Sequence, residues 1–276
     1  MSRFYQSALS TETLMKKAPS IFANDASENV SNRYLHIPTS KILDAMLAND
    51  FLPVAAKQTR SKDSEHAKHV LHFSHKSISD RLTLNEEIPL IRVQNSHDGK
   101  SSFQIDTGFF RLICSNGLVM PGNMLNSARV IHKVGMENDV IEASYRVLDS
   151  FAAQLEQVNA IKGVELNADE RQILAESAVR LVFDANQIEA NTSRGRSLES
   201  TLLAARRSAD QKNDLWTTFN RIQENAIKGG RRVYSATGNF SAMREVKSID
   251  REKQINVELM ALAQKMAALK GVSIAA

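Results

Sequence analysis

The run Ile88-Pro89-Leu90-Ile91-Arg92-Val93-Gln94, the polar stretch Asn95-Ser96-His97-Asp98-Gly99-Lys100 and the run Ser101-Ser102-Phe103-Gln104-Ile105-Asp106-Thr107 decide the fold class. Both flanks read as strands. The Asp98-Gly99 step between them predicts a hairpin, because a type I′ turn needs positive φ at both central positions.

Working outward toward the N-terminus, Phe51 to Thr59 reads as a strand, and residues 67–74 as another, with Val70, Leu71 and Phe73 apolar. Ile42, Leu43, Met46 and Leu47 recur at helical spacing, so 40–49 is a helix with Thr39 as its expected N-cap and Asn49-Asp50 as its stop. Arg33 to Ile37 is a short strand stopped by Pro38. Residues 1–32 are rich in Ser, Asn and Ala and read as a flexible arm, with a short helix from Thr11 to Lys17 able to dock elsewhere.

Toward the C-terminus, 108–119 is apolar and is expected to be a buried short helix closed by Asn116-Gly117, followed by a strand near 127–132. From Asp139 the pattern becomes helical. Val140, Ile141, Tyr145, Val147, Leu148 and Phe151 share a face until Gly163 breaks the helix, and Asn167 caps the next. Residues 191–196 are expected to be a flexible basic linker, 208–228 a long helix stopped by Gly229-Gly230, 231–248 a polar loop and 250–269 a last amphipathic helix. The reading is α+β, because strands and helices are segregated along the chain: an arm at 1–32, an antiparallel sheet with short helices at 33–137, and a helical half at 138–276.

Composition narrows the setting. No run of about 18 apolar residues exists to span a membrane, and the N-terminus lacks the apolar centre of a signal peptide. The single cysteine, Cys114, can form no internal disulfide. Together these predict a cytoplasmic protein. The net charge is +4, and within 194–253 there are 13 Lys and Arg against 7 Asp and Glu. Such an excess can attract a phosphate backbone, or can be an ordinary solvated helix surface.

Four blocks carry a family resemblance: Tyr34-Leu35-His36-Ile37-Pro38-Thr39, Asn95 to Gly99, Gly108 to Val119, and Gln211 to Gly230 around Leu215-Trp216-Thr217-Thr218-Phe219-Asn220. With their spacing, they resemble the YafZ/YfjQ-like family of phage, prophage and plasmid proteins, a domain-of-unknown-function family, over about residues 30 to 260. The resemblance implies a gene borne on mobile elements, in a family whose members often sit near anti-restriction genes. It carries over no catalytic residue. At fold level, the order of helix, strands and hairpin is similar to the core of single-strand annealing proteins.

The residues that invite chemistry each have a plainer reading. His66, His69, His72 and His75 recur every three residues, but a strand sends them to alternate faces, and i and i+6 lie about 20 Å apart, too far to share a metal. A polar strand face, or phosphate contact by Lys68 and His72 below about pH 6.5, remains. Ser96-His97-Asp98 are consecutive and cannot easily point at one another in turn as a catalytic triad does. Cys114 lies in an apolar block, unlike a reactive thiolate, while Arg111 in the same block needs a partner. No metal site, cofactor or enzyme signature is expected.

The basic stretch supplies the remaining candidates: Arg194, Arg196, Arg206, Arg207, Lys228, Arg231, Arg232 and Tyr234. Glycines at 229 and 230 can let the backbone approach an anion, arginines supply forked donors, and the tyrosine can stack on a base. Trp216 and Phe219 share a helix face that reads as core. Two functions fit: a non-enzymatic binder or annealer of single-stranded nucleic acid, or an anti-defence protein (anti-restriction or anti-CRISPR) acting on a host protein or ribonucleoprotein complex. The terminal helix, with Ile255, Leu259, Met260, Met266 and Leu269, is apolar enough for a homo-oligomer.

Overall fold

The computed structural model describes residues 8–28, 30, 35–79, 87–99, 101, 103–111, 116–119, 127–130 and 136–272. The chain is α+β and divides into two units, Met1–Phe151 and Ala152–Ala276.

The first unit holds α1 (Thr11–Lys17), α2 (Thr39–Ala48), β1 (Phe51–Gln58), β2 (His69–His75), α3 (Lys76–Ser79), β3 (Glu87–Asn95), β4 (Phe103–Arg111), β5 (Asn116–Val119), β6 (Ser127–Val130) and α4 (Met136–Asp149). Among the described residues, the strands form one antiparallel sheet in the order β1-β2-β3-β4-β5. β6 pairs with Phe103 to Asp106 of β4, and β5 pairs with Gly108 to Arg111 of the same strand. Leu71, Phe73, Ile91, Val93, Phe103 and Ile105 alternate onto one sheet face. They pack with Ile42 and Met46 of α2 and Val140 and Val147 of α4 in one core. Each such side chain, moved from water into that core, contributes roughly 1.5–3 kcal/mol.

On the other face, the register sets His72, Arg92 and Asp106 side by side. The Arg92 guanidinium is buried there, donating to Asp106 at 2.9 Å and to Gln94 at 2.7 Å. A buried cation needs such partners, because desolvation without them costs several kcal/mol.

Several expectations change. The stretch 8–28 is docked, not flexible, because Leu14, Ala18 and Ile21 supply apolar surface that the sheet core buries. Residues 35–37 are not a strand. Thr39 is the first residue of α2, with Pro38 in the cap position, because its hydroxyl is engaged elsewhere: it meets His69 Nε2 at 2.9 Å and accepts from Asn95 Nδ2 at 3.0 Å. The hairpin at 88–107 is present, but its connection is longer than a two-residue turn, and at the Asp98-Gly99 step only Gly99 has positive φ. His97 is drawn inward, its N–H donating to His66 O and its carbonyl accepting from Ser27 N–H. Residues 108–111 and 116–119 are strand and not helix, while Cys114 lies outside the described residues. The helix expected from Asp139 to Gly163 is interrupted at Ser150, and its first part, α4, joins the sheet core. The apolar face of α4 is needed there, so the first unit extends past the boundary expected at 137.

The second unit holds α5 (Phe151–Lys162), α6 (Ala168–Val182), α7 (Ala185–Thr192), α8 (Leu198–Leu203), α9 (Leu215–Lys228), β7 (Arg232–Tyr234), β8 (Phe240–Ala242) and α10 (Ile249–Leu269). Asn167 caps α6 as expected, in a reciprocal capping box with Glu170. The centre is α9, buried over nearly its whole length, with Trp216 and Phe219 stacked at 5.5 Å. The long helix expected from Ser208 starts instead at Leu215, where the Asp214 carboxylate accepts from Thr217 N–H at 2.7 Å. Ile255, Leu259, Met260 and Met266 of α10 are buried within the unit, while Leu269 near its end is exposed.

Candidate functional site

The segment 231–248, expected as a loop, contains a β-hairpin. β7 and β8 pair Arg232 with Ala242, Val233 with Ser241 and Tyr234 with Phe240. Ser235 N–H donates to Asn239 O at 2.9 Å, and Gly238 sits at φ +81° in the short turn between them. A Cβ on Gly238 would come within 2.9 Å of Arg194 Nη2, so glycine at the turn leaves room for that guanidinium.

The hairpin is held to α7. The Asn191 amide donates to Tyr234 O at 2.8 Å and its oxygen accepts from Tyr234 N–H at 2.9 Å. Asn191 is fully buried, which corrects the flexible-linker reading of 191–196 at its first residue. Behind it the chain turns, with Arg196 N–H donating to Asn191 O. This turn delivers Arg194 and Arg196 beside the hairpin's aromatic side chains.

Arg194 lies over the Tyr234 ring, 5.0 Å from its centroid. Arg196 and Arg232 both lie over the Phe240 ring, at 5.1 and 4.9 Å. The two rings touch, tilted, with centroids 4.9 Å apart. Arg194, Arg196, Tyr234 and Phe240, together with Ser197, Ser200, Thr201, Ala204 and Arg231, line an open cavity of about 530 Å³, and Arg232 reaches the Phe240 ring from outside that lining. Among the described residues, none of Arg194, Arg196 and Arg232 forms an ion pair with a carboxylate. The Nε of Arg196 is enclosed without an acceptor.

The other basic candidates are spent inside the unit. Arg207 grips Glu224 with both terminal nitrogens, at 2.9 and 2.6 Å, and also reaches Asp210 at 3.0 Å. The Glu224 hydrogen bond holds the Arg207 proton more firmly than usual. Burial pushes the Glu224 carboxyl up, but Arg207 and Lys228 outweigh it and hold it below the ordinary carboxylate value. Lys228 donates to the same carboxylate at 3.2 Å. Arg206 and Arg231 both donate to the Asn225 oxygen, Arg206 also to Gly229 O, and Arg231 to Ala204 O and Ala205 O. Burial lowers the Arg206 pKa.

Gly229 does not present its backbone to an anion. At φ +60°, a Cβ there would lie 2.5 Å from Met243 O and 2.8 Å from Arg244 O, so glycine lets the end of α9 approach the irregular segment that follows β8.

Lys68, His72 and Arg111 belong to the first unit. Lys68 is half-buried beside β2, its carbonyl accepting from Thr59. His72 stands opposite Arg92, and burial, then the charges of Arg92 and Lys57, lower its pKa to about 3. It is therefore neutral near pH 6.5, which corrects the reading of His72 as a phosphate-binding cation. Arg111 is placed in β4, across from Glu87 and Asn116. His69 and His75 share the core face of β2 and His72 takes the other, as alternation requires. Among the described residues no group of His, Cys, Asp and Glu is arranged to hold a metal ion.

Sequence reasoning missed Phe240, Asn191 and Gly238. An aromatic six residues after Tyr234, with Gly238-Asn239 between them, was the available hairpin signal.

The profile of the family described as a domain of unknown function (DUF932) matches residues 26–260. The chain belongs to this family. It is 38% identical over 261 residues to the UPF0380 protein YafZ of Escherichia coli (strain K12), covering 94% of this chain and 91% of that protein. It is 36% identical over 258 residues to the UPF0380 protein YfjQ of the same organism, with the same shares covered. No solved structure matches the DUF932 chain. None of its described helices is long and apolar enough to cross a membrane.

Proposed function

We propose that this DUF932 protein binds single-stranded nucleic acid without chemically changing it, through the hairpin site of Arg194, Arg196, Arg232, Tyr234 and Phe240. One observation carries the reading: three guanidiniums, none paired with a carboxylate, converge on two touching rings, and two of them, Arg194 and Arg196, line a cavity with those rings. Like charges held this close repel one another, by roughly 1–2 kcal/mol at 10 Å for an effective dielectric constant near 20. A bound anion relieves that repulsion. Grooves that combine cations with aromatic side chains suit single strands, whose flexible backbone can follow a cavity that a stiff duplex cannot enter. A resemblance to phage and plasmid genes fits an accessory role in a mobile element.

The test is a fluorescence-anisotropy titration with a labelled single strand. Binding is expected at about 50 mM salt, weakening with salt at a log–log slope of about −0.7 per phosphate contacted. The double variant Arg196→Gln, Arg232→Gln should bind at least tenfold more weakly with its circular dichroism unchanged. No binding at low salt, or binding that ignores salt, overturns the reading. So does a protein blind to nucleic acid whose arginine site instead captures a defined host-defence complex, which would establish the anti-defence function.

A further inference from the structure

Resting on that reading, we infer that the hairpin site grips the phosphate backbone and leaves the bases unread. The rings in this site are already in use. Phe240 carries two guanidiniums and the Tyr234 ring, all within about 5 Å of its centroid, and Tyr234 carries Arg194 as well. Guanidiniums already occupy part of these ring faces, so the arginines, more than the rings, are expected to carry the contact with the strand.

The same contacts prepare the arginines for phosphate. A guanidinium laid over a ring engages its face, while its N–H donors point outward from its edge in the plane that suits two phosphate oxygens. Those donors remain available. The Arg196 side chain makes no hydrogen bond among the described residues; its Nε is enclosed, so its terminal nitrogens are the donors a ligand can reach. Arg232 makes one long contact, to Phe240 O at 3.4 Å. Arg194 is the most fixed, donating to Ala190 O at 2.9 Å and packed against Gly238. It braces the site, while Arg196 and Arg232 supply the free edges. Ser200 lines the same cavity, and its hydroxyl can donate to a further phosphate oxygen, whereas the hydroxyls of Ser197 and Thr201 already donate to the Glu199 carboxylate and Ser197 O. The donors found here suit an anionic oxygen, and no side-chain amide or carboxylate lines the cavity, so the edges of adenine and cytosine meet no complementary side chain there.

Three ligands separate the possibilities when titrated against the full chain: a labelled thymidine oligonucleotide, an abasic strand of equal length and charge, and inorganic phosphate as competitor. The abasic strand is expected to bind within about threefold of the thymidine strand, both displaced by phosphate at millimolar concentration. The variants Arg196→Gln and Arg232→Gln should weaken both strands equally. An abasic strand bound tenfold or more weakly overturns the inference while leaving nucleic-acid binding intact, since stacking would then carry the affinity. Phosphate bound at the arginines with neither strand bound upholds the phosphate site and overturns the nucleic-acid reading. No binding of any of the three overturns both.

Discussion

The Asn191 side chain bonds both backbone polar groups of Tyr234, acting on β7 as a neighbouring strand would. This single amide fixes the hairpin to the end of α7, and so sets where Arg194 and Arg196 meet the two rings. Asn191→Leu would leave the part-buried N–H and carbonyl of Tyr234 unpaired, at a cost of about 1 kcal/mol each. The expected outcome is a lower melting temperature together with faster amide exchange at Tyr234. Asn191→Asp keeps the acceptor and loses the donor, so it should protect Tyr234 N–H better than leucine does. Equal exchange in both variants would show that the amide does not hold the strand.

The Arg207–Glu224 pair is the corresponding restraint inside the helical unit. Glu224 is buried and bonded to both Arg207 and Lys228, so Arg207→Ala strips it of its bidentate partner. Removing one member of such a pair costs about 3 kcal/mol, somewhat less here because Arg207 is one-third exposed. Urea denaturation should show that loss. Strand binding by the folded fraction should be unchanged, because Arg207 lies outside the hairpin cavity. A variant as stable as the parent would mean that the pair contributes nothing net.

These two restraints mark what could be read from the residues. The 88–107 hairpin, the strand at 51–58 and the Asn167 cap follow from local pattern and appear in the structure. The apolar face of α4 was equally visible, but periodicity does not say which surface it covers, and it covers the sheet. Charge counting found the basic stretch without distinguishing cations that face solvent from those already paired. The Glu224–Lys228 spacing of four residues was a local signal. The Arg207–Glu224 contact spans 17 residues and appears only when the segment after α8 is packed on α9. Phe240 was hidden because three-residue strands are too short to establish a period.

The buried histidine of the first unit makes stability depend on pH. His69 meets Thr39 through Nε2 and Ser20 through Nδ1, at 2.9 and 2.8 Å. Burial lowers its pKa from 6.5 to about 4. The folded state thus holds a proton on His69 more weakly than the unfolded chain does. Its stabilising contribution is complete above pH 6.5 and is lost as the pH falls from 6.5 through about 4. The loss approaches about 1.4 kcal/mol per pH unit for one histidine. His72, lowered to about 3, adds a loss of the same sign. Denaturation midpoints between pH 7.5 and 4.5 should therefore fall, and His69→Gln should flatten the decline without removing it. A variant that declines as steeply as the parent would assign the effect to other groups.

Phe240 allows charge and positioning to be separated at the hairpin. It is the ring under both Arg196 and Arg232, and it is 40% exposed, so shortening it leaves no deep cavity. Phe240→Leu keeps all three guanidiniums but removes the surface that orients two of them. Each exposed cation–π contact is worth about 0.5–1 kcal/mol, and losing two should weaken strand binding roughly five- to thirtyfold. The slope of log affinity against log salt should not change, because it counts phosphates neutralised and not how well the arginines are aimed. Phe240→Trp, which offers a larger ring face, should retain or exceed the parent affinity. Arg232→Gln should behave differently, lowering both the affinity and the slope. If Phe240→Leu also reduced the slope, the ring would be controlling how many arginines reach the strand. If it changed neither quantity, the arginines would act as independent charges, and the ring contacts would have no part in binding.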